Sequence, residues 1–580
     1  MNELHTGVLV VGAGAAGVYA ALEATRLGAE VCLVDKSMVG MGGATIMAQM
    51  TVAAALGHQE DDAAELHYAD TVAGGRGLVH EPLAELLCED APRRILETRA
   101  MRVNWAADGD RLRQVTAPGH SRRRCCYVDV LATGTGVMKG MRAELRRRGV
   151  TRHQNLFVTR LITDGQGGVA GAAALDVATG QTVALWAGAV VLAGGGLTEM
   201  YLRNSASVNM TGDAYALGLE AGAELVDFEM VQFFPIANLA PRTIGLDPIM
   251  WDPFRYKLGG RLLNGDGEEF VGNYTGVADE GSYTATRDQV SYAILKEVEA
   301  GRGSPSGGAW LDFTDLPAEQ IHAAFPPVVD KLLAQGIDLT KRAVEVAPTA
   351  HYTIGGLRVG TDMRTRVPGL LAAGEAVGGL HGANRLSGNA ISEAFVFGAR
   401  AGNSAADDAR ARGESRPDRV AAERMAEARA RIAEVRGRNA GSGVFLPGLR
   451  TRLQRTMWTL AGPFRTEGKL TEAAAELADI TTALGEAQVG EQHAYNLEWV
   501  EWWEMRMMLR NAEAIRIAAL ERRESRGAHQ REDHPHTDPA YARTSVVTAE
   551  NGTLTHRFTP VPRRGAVPEG EPCETGSDSR

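Results

Sequence analysis

The chain has 580 residues, of which 44% are hydrophobic and 23% charged, and its formal net charge at pH 7 is −11. This length allows roughly two to four domains around a large buried core. The acidic balance excludes nucleic acid as an expected partner, because phosphate binding needs a basic excess. Five cysteines occur, none at a metal-ligand or cluster spacing, so we expect no metal site and no iron–sulfur cluster in this chain.

The start of the chain carries no basic, long apolar targeting segment. No uninterrupted apolar run approaches the roughly 20 residues that a membrane-spanning helix needs. We therefore expect a cytoplasmic protein that does not insert into a membrane directly and that meets the inner membrane face only through a partner.

The first predicted elements form a dinucleotide-binding unit. Residues 6–11 predict a buried parallel strand, 18–27 a helix, and 30–34 a second strand that ends at Asp35. Between the first strand and the helix lies a GxGxxG motif in which Gly12 permits the turn, Gly14 lets backbone approach a pyrophosphate, and Gly17 lets the helix pack on the strand. Asp35 is placed to accept hydrogen bonds from an adenosine ribose. These elements alone do not separate FAD from NAD.

Later elements return to the same sheet. Residues 190–192 predict another buried strand with a glycine-rich end, and 370–373 a further strand that is followed by Glu375. Residues 420–435, 470–484 and 494–523 have helical periodicity. The last segment, 564–580, is rich in Gly, Pro and Glu and is predicted to be disordered.

Many short motifs follow one another in a familiar order. They are GGAT at 42–45, QMTVAAALG at 49–57, GHS at 119–121, VVLAGGG at 190–196, TGD at 211–213, VQFFP at 231–235, RLLN at 261–264 with GEEF at 267–270, TRDQVSYAI at 286–294, HYTIGG at 351–356, AAGEA at 372–376, GANRLSGNAIS at 382–392 and SRGAHQREDHP at 525–535. In these motifs the chain resembles the succinate dehydrogenase/fumarate reductase flavoprotein family, which also includes L-aspartate oxidase and adenylylsulfate reductase. The resemblance spans nearly the whole chain.

The resemblance implies an α/β fold: a Rossmann-like FAD-binding domain at 1–240 and 345–412, interrupted by an α+β capping domain at 241–344. A helical C-terminal domain at 413–563 follows. The cofactor-binding residues that the motif and the resemblance give are Gly12, Gly14, Ala15, Ala16, Gly17, Asp35, Lys36, Gly43, Ala44, Thr45, Gln49, Gly194, Gly195, Asp213, Glu375, Asn389, Ala390 and Ile391. By resemblance, Asp213 and Glu375 contact the ribityl and phosphate region, and residues 389–392 open a helix that faces the isoalloxazine carbonyl.

One position departs from many family members. They bind FAD covalently through a histidine five residues before the position of Gln49, where this chain has Ala44. We therefore expect non-covalent FAD. The loss of that bond normally lowers the flavin potential, which favours reduction of substrates, or oxidation by a strong acceptor, over easy succinate oxidation.

Three further residues are predicted to be catalytic by resemblance. Arg287 corresponds to the capping-domain arginine that delivers a proton, and it would need a relay because arginine is a weak acid. His351 and Arg385 correspond to the pair that clamps a substrate carboxylate, for which an arginine fork is well suited.

The remaining pocket positions differ from those of relatives that act on C4 dicarboxylates. Phe234 replaces a histidine. One alignment places Trp251 at a threonine, Asp252 at a glutamate and Arg255 at an arginine, which keeps a relay to Arg287, whereas a shifted alignment places Pro253 at the glutamate and removes the relay. An apolar wall formed by Phe234 and Trp251 would leave a second carboxylate desolvated and unpaired.

The expected function is hydride transfer between FAD and a C–C bond beside a carboxylate of a small-molecule substrate other than a plain C4 dicarboxylate. Two alternatives stay open: a flavoprotein subunit that passes electrons to an iron–sulfur or other electron-transfer subunit, and an amino acid oxidase like L-aspartate oxidase. Adenylylsulfate reduction is disfavoured by the dicarboxylate-type Arg287 motif, and a non-catalytic role is disfavoured by Arg287, His351 and Arg385.

Overall fold

The structure is a computed structural model that describes residues 3–129, 131–244, 246–247, 249–251, 255, 258–275, 287–324, 326–413 and 417–565. Its helices are α1 (Ala15–Arg26), α2 (Ala64–Gly74), α3 (Glu81–Ala100), α4 (Thr133–Arg148), α5 (Asp213–Glu220), α6 (Val271–Thr275), α7 (Arg287–Glu299), α8 (Ala318–Ala324), α9 (Pro326–Ala334), α10 (Asn389–Arg412), α11 (Arg419–Val435), α12 (Leu446–Leu460), α13 (Glu467–Glu486) and α14 (Leu497–Glu521). Its strands are β1 (Glu3–Val11), β2 (Val31–Val34), β3 (Val52–Ala53), β4 (Ala107–Asp108), β5 (Arg111–Leu112), β6 (Gln114–Val115), β7 (Cys125–Cys126), β8 (Thr151–His153), β9 (Leu156–Thr163), β10 (Val169–Asp176), β11 (Gln181–Leu192), β12 (Leu225–Val226), β13 (Val231–Ala240), β14 (Arg261–Leu263), β15 (Ala309–Asp312), β16 (Val344–Thr353), β17 (Gly356–Leu357), β18 (Leu370–Ala372), β19 (Thr544–Glu550) and β20 (Thr553–Thr559).

A seven-stranded sheet organises the nucleotide-binding region. Strands β8, β2, β1 and β11 run parallel, and β10 and β9 continue the sheet as antiparallel strands. Strand β11 is long enough to have two partners along one edge: residues 181–186 pair with β10 and residues 190–192 pair with β18. Because β18 comes from far along the chain, the sheet is completed only after the chain has left this region and returned.

Two helices cover one side of the central strands. Helix α1 packs on α10 through glycines, since a Cβ on Gly398 or Gly402 would lie 2.5 Å or 2.4 Å from carbonyl oxygens of α1. Strand β11 is buried from residue 183 to its end, and β1 is buried at residues 8–10, as the apolar sequences of these stretches predict. The resulting core is shared by the sheet, both helices and part of the C-terminal region.

The inserted region has its own sheet and core. Strands β13, β16, β15 and β14 form an antiparallel sheet, in which β13 and β16 also lead back to the nucleotide-binding region. A separate apolar cluster is centred on Trp251, Phe270, Ile294, Leu311 and Leu332. The mixed α and β composition predicted for a capping domain is therefore present.

The C-terminal region is helical, as predicted, and ends in a hairpin that its sequence did not lead us to expect. Helices α12, α13 and α14 pack together, and the tryptophans at 499, 502 and 503 lie in the core. The hairpin β19–β20 joins β12 and β17 in a four-stranded sheet, which ties the end of the chain to the nucleotide-binding region. Among the described residues, no helix has both the length and the apolar character needed to span a bilayer.

Candidate active site

The glycine-rich turn between β1 and α1 is sterically closed on one side. Gly12 has φ +102°, and a Cβ there would lie 2.3 Å from the carbonyl oxygen of Ala193 on the next strand. A Cβ on Gly17 would lie 1.8 Å from the carbonyl oxygen of Gly12. These contacts explain why only glycine fits where the helix packs against the turn and the sheet.

The other side of the turn is open to a cavity of about 960 Å³. A Cβ on Gly14 would meet only Thr45 Oγ1, at 3.4 Å, and a Cβ on Gly43 would meet nothing within 4 Å. The predicted cofactor-binding residues that line this cavity are Gly12, Gly14, Ala16, Asp35, Lys36, Gly43, Ala44, Thr45, Gln49, Gly194, Gly195, Asp213, Glu375, Ala390 and Ile391. The substrate-site residues Phe234, His351 and Arg385 line the same cavity.

Three predicted cofactor residues lie behind this surface. Ala15 and Gly17 are buried within α1. Asn389 is fully buried at the start of α10, where its Oδ1 lies 2.9 Å from Nε2 of His67. Burial lowers the pKa of His67 to about 3, so its ring is neutral and holds Asn389 without adding charge. The next two residues of α10, Ala390 and Ile391, nevertheless line the cavity.

Asp35 is already hydrogen-bonded within the protein. Its carboxylate accepts from the backbone N–H groups of Ala13 and Ser37, both at 2.8 Å, and from the Ser37 hydroxyl at 2.7 Å. These bonds connect the end of β2 to the glycine-rich turn. Asp35 therefore shapes the turn in addition to any contact with a ribose.

Glu375 is a carboxyl group whose surroundings raise its pKa. Burial raises the pKa to about 7, although the backbone N–H of Thr353 donates to its Oε1 at 2.9 Å and the charge of Arg385 lies nearby. A side chain at Gly196 would collide with this carboxyl, since a Cβ there would lie 2.0 Å from Oε1. The glycine-rich end of β11 thus makes room for Glu375 as well as for the cavity.

The predicted carboxylate clamp is assembled from two separate segments. His351, near the end of β16, has its Nδ1 2.8 Å from the Ser205 hydroxyl. The guanidinium of Arg385 lies 4.3 Å from the ring centroid of Tyr352, in cation–π geometry. The two side chains thereby face one cavity, as the resemblance predicts for a clamp.

A buried polar group supports the clamp from behind. The Tyr352 hydroxyl donates to Oε2 of Glu393, and Nε2 of His381 lies 3.0 Å from the same oxygen. Burial raises the pKa of Tyr352 well above its usual value, so its hydroxyl stays a donor. The aromatic ring under Arg385 is therefore fixed by a hydrogen bond as well as by packing.

The wall beside the clamp is apolar. Phe234 lies 5.4 Å from the His351 ring, centroid to centroid, and forms a small buried cluster with Ala237 and Met250. Met250, rather than Trp251, is the member of its segment that lines the cavity. Trp251 is fully buried in the core of the inserted region, where its Nε1 donates to Oδ1 of Asn238 at 3.2 Å.

The predicted proton relay is only partly covered by the structure. Arg255 is buried, and its Nε donates to the carbonyl of Gly260 at 3.2 Å. Arg287 is the first residue of α7, but its side chain, like Asp252, lies outside the described residues. The relay stays a prediction.

Several contributors to the site were not expected from the sequence. Tyr352 and Glu393 fall inside or beside quoted motifs, so their proximity to the clamp could have been suspected. His120 lines the cavity and donates from Nε2 to the carbonyl of Ser387 at 2.7 Å. Ser205 and Met250 carried no sequence signal, because their roles depend on contacts between distant segments.

The cavity fits FAD in volume and in the chemistry of its lining. It runs from the glycine-rich turn to the clamp, and its volume is near the upper limit of about 1,000 Å³ for ligand pockets. The open sides of Gly14 and Gly43 leave space for close approach of a pyrophosphate, beside the helix terminus that binds anions. A dinucleotide site of this kind that ends at a polar clamp defines an FAD-dependent oxidoreductase.

Comparison with known proteins narrows this class. Residues 7–391 match the family described as FAD binding domain, and residues 450–569 match fumarate reductase flavoprotein C-term. A subunit of the fumarate reductase (CoM/CoB) of Methanothermobacter marburgensis is 34% identical over 94% of this chain and 98% of that protein. L-aspartate oxidase of Streptomyces coelicolor is 33% identical over 98% of this chain and 96% of its own length.

A solved structure, Mycobacterium smegmatis Sdh1 in complex with UQ1, superposes with a TM-score of 0.88 at 32% identity and covers 97% of this chain and 96% of that chain. The chain belongs to the family of FAD-dependent flavoproteins that contains fumarate reductases, succinate dehydrogenases and L-aspartate oxidases.

Proposed function

We propose that this protein transfers hydride between FAD and a carbon–carbon bond adjacent to a carboxylate, in a substrate that is not a plain C4 dicarboxylate. The observation that carries the proposal is the contrast within one cavity between the His351–Arg385 clamp and the apolar side chains of Phe234 and Met250. Burying a second carboxylate against the apolar cluster would cost several kcal/mol.

The clamp both orients and activates the substrate. Arg385 offers a planar pair of donors to one carboxylate, and His351 adds a third donor from the ring nitrogen that does not face Ser205. Withdrawing electron density toward the carboxylate polarises a conjugated double bond and makes its β-carbon more electrophilic. Holding the substrate in one orientation also removes much of the entropic barrier.

Bound FAD supplies the hydride donor or acceptor. Residues Ala390 and Ile391 line the cavity at the N-terminus of α10, where the helix dipole would stabilise negative charge on the cofactor. Arg287 is our candidate for the residue that donates a proton to the second carbon. Asp252 and Arg255 would relay the replacement proton to Arg287. The support for this step is the sequence motif and the position of Arg287 at the start of α7.

The cofactor is held without a covalent bond to the protein. Ala44, which stands where many relatives have the linking histidine, lines the cavity and has no nucleophilic group. Acid precipitation of the purified protein should therefore release all of the yellow colour into the supernatant. Colour retained in the pellet would contradict this part of the proposal.

A separate electron-transfer protein is the second part of the proposed function. The five cysteines of the chain have no cluster-binding pattern, so electrons would leave or arrive through another redox protein, of which an iron–sulfur subunit is our first candidate. One of the relatives is itself named as a subunit, which supports a complex. The likeness to L-aspartate oxidase supports the alternative of an oxidase that uses oxygen.

A reoxidation assay tests the proposed substrate class. The protein is photoreduced without oxygen and mixed in turn with fumarate and with monocarboxylic enoates of increasing apolar bulk, and the oxidised protein is separately mixed with L-aspartate in air. We expect an enoate with one carboxylate to reoxidise the flavin at least about tenfold faster than fumarate. Faster turnover of fumarate would restore the dicarboxylate assignment, and peroxide production from L-aspartate would favour the oxidase.

A further inference from the structure

Helix α14 contacts residues that surround the cofactor cavity, from outside the nucleotide-binding region. Two of its side chains, Glu504 and Asn511, contact the loop at 211–213 or its partner Lys36. They are seven residues apart, close to two turns, and so lie on one face of the helix. The loop that they contact places Asp213 at the cavity surface.

Glu504 acts on the cavity through Lys36. The Lys36 ammonium lies 2.7 Å from Oε1 of Glu504, 2.8 Å from Oδ2 of Asp213 and 2.5 Å from the Thr211 hydroxyl. Thr211 in turn donates to Oδ1 of Asp213 at 2.6 Å. The three donors of the ammonium are therefore used to join β2, the 211–213 loop and α14.

The second oxygen of Glu504 is also fixed. Arg450 of α12 donates to Oε2 at 2.6 Å, and it contacts Glu501 at 2.8 Å. Burial alone would raise the pKa of Glu504, but Lys36 and Arg450 lower it, so the carboxylate is ionised. Burial would likewise lower the pKa of Lys36, but Asp213 and Glu504 raise it above its usual value. The group is a compensated cluster of buried charges, in which removing one member leaves the others poorly paired.

Asn511 contacts the same loop directly. Its side-chain N–H donates to the carbonyl of Gly212 at 2.8 Å, and Asn511 is fully buried. Gly212 has φ +79°, and a Cβ there would lie 2.6 Å from the Asn511 amide nitrogen. The helix and the loop are thus in contact without spare room, and Asp213 follows Gly212 as the first residue of α5.

We propose that Glu504 and Asn511 are positioning residues for FAD, through which the C-terminal helix α14 holds Lys36 and Asp213 in their binding orientation. The proposal rests on FAD occupying the cavity and is independent of the identity of the substrate. It makes the C-terminal region part of the cofactor site, although neither residue lines the cavity.

The sign of the effect separates positioning from simple electrostatics. FAD carries a diphosphate, so removing the negative charge of Glu504 would tighten binding if the charge acted only through space. If Glu504 acts by holding Lys36, its removal weakens binding, because the ammonium and Asp213 lose a fixed geometry. Weaker binding by a Glu504 variant therefore supports positioning, and tighter binding overturns it.

The test is titration of the full-length apoprotein with FAD, followed by flavin fluorescence. We expect Glu504→Ala and Asn511→Ala each to raise the Kd for FAD by about tenfold. Glu513→Ala is the matched control, since Glu513 lies on the same helix and pairs with Arg516 outside this cluster; its Kd should change less than about twofold. Lower melting temperatures of the apoprotein variants with an unchanged Kd would mean a merely structural role and would overturn the proposal.

A double-mutant cycle tests the route of the effect. In a Lys36→Met background, Glu504→Ala should change the Kd for FAD by less than about twofold, because Lys36, through which Glu504 acts, is absent. An undiminished tenfold effect would overturn the role assigned to Lys36. Glu504→Gln, which keeps the side-chain volume, provides the measurement if Glu504→Ala does not fold. If the wild-type apoprotein fails to bind FAD at all, the assignment of the cavity falls, and this inference with it.

Discussion

Two walls of the cavity, one on each side of the proposed substrate position, differ in polarity. The clamp wall, formed by His351, Tyr352 and Arg385, consists of polar groups that have partners behind them. The apolar wall is formed by Phe234 and Met250, which pack with Ala237 in a small hydrophobic cluster. The walls meet where Phe234 packs beside His351.

The two walls differ in whether their geometry is set by the fold or their polarity is set by individual side chains. The clamp wall depends on contacts that join β16, the 381–388 loop and α10, so its geometry is held by the architecture. The apolar wall is formed by β13 and one residue of the inserted segment, and a single substitution can change its polarity. On the proposed function, recognition of the first carboxylate would be a property of the fold, whereas selection at the other end of the substrate would be local.

The largest effect should come from breaking the clamp wall. Arg385→Lys keeps the charge but loses the planar fork and the stacking on Tyr352, so kcat/KM for the enoate that reoxidises wild-type protein should fall by about 10³-fold. Anaerobic stopped-flow reoxidation measures this ratio. The conservative exchange Arg122→Lys, at an exposed position, is the control. A loss smaller than about tenfold would show that Arg385 does not bind the substrate carboxylate.

A smaller effect should follow from converting the apolar wall. Phe234→His introduces a donor beside His351, so reoxidation by fumarate relative to a monocarboxylic enoate should rise by about tenfold. Phe234→Leu, which keeps the wall apolar, should leave this ratio near that of the wild type. Equal ratios for all three proteins would mean that position 234 does not select the substrate.

The last prediction concerns the pH dependence of stability rather than turnover, and it falls on Glu375, which lines the cavity. Glu375 has a folded-state pKa of about 7, above the ordinary value of 4.5, because it is buried. Its contribution to stability is therefore present below about pH 4.5 and is lost as the pH rises to about 7, amounting to ~3 kcal/mol. Unfolding of the apoproteins at several pH values tests this. Between about pH 4.5 and about pH 7, the free energy of unfolding of Glu375→Gln should rise by ~3 kcal/mol relative to that of the wild type. Phe234→Leu should show no such trend, and a pH-independent difference for Glu375→Gln would contradict the raised pKa.

Local sequence patterns were sufficient to predict the first strands and helix of the nucleotide-binding region. The alternation of a buried strand, a GxGxxG turn and a helix predicted β1, α1 and β2 to within a few residues, since each element has a period or a turn that short-range chemistry determines. The strand before Glu375 was predicted for the same reason, whereas the helix that opens at Asn389 was expected from the resemblance. The family resemblance gave the order of the regions.

Contacts between distant segments could not be predicted in the same way. Whether Trp251 or Met250 reaches the cavity depends on the register of one strand segment against another, and a shift of one residue exchanges the two faces. Ser205 meets His351 across 146 residues of chain, and Glu504 meets Lys36 across 468. Neither pair has a local pattern, because each is a product of packing between regions.

The two partners of β11 also determine the order in which parts of the chain can fold during translation. The edge that residues 190–192 offer to β18 stays incomplete until Leu370–Ala372 has been translated, by which time the inserted region has already been synthesised. The inserted region can therefore fold first, on its own core, while the nucleotide-binding sheet waits for its last parallel strand. A nascent chain that ends before β18 would have the GxGxxG turn and yet lack the carboxyl of Glu375, so cofactor capture is a late event in the life of the chain.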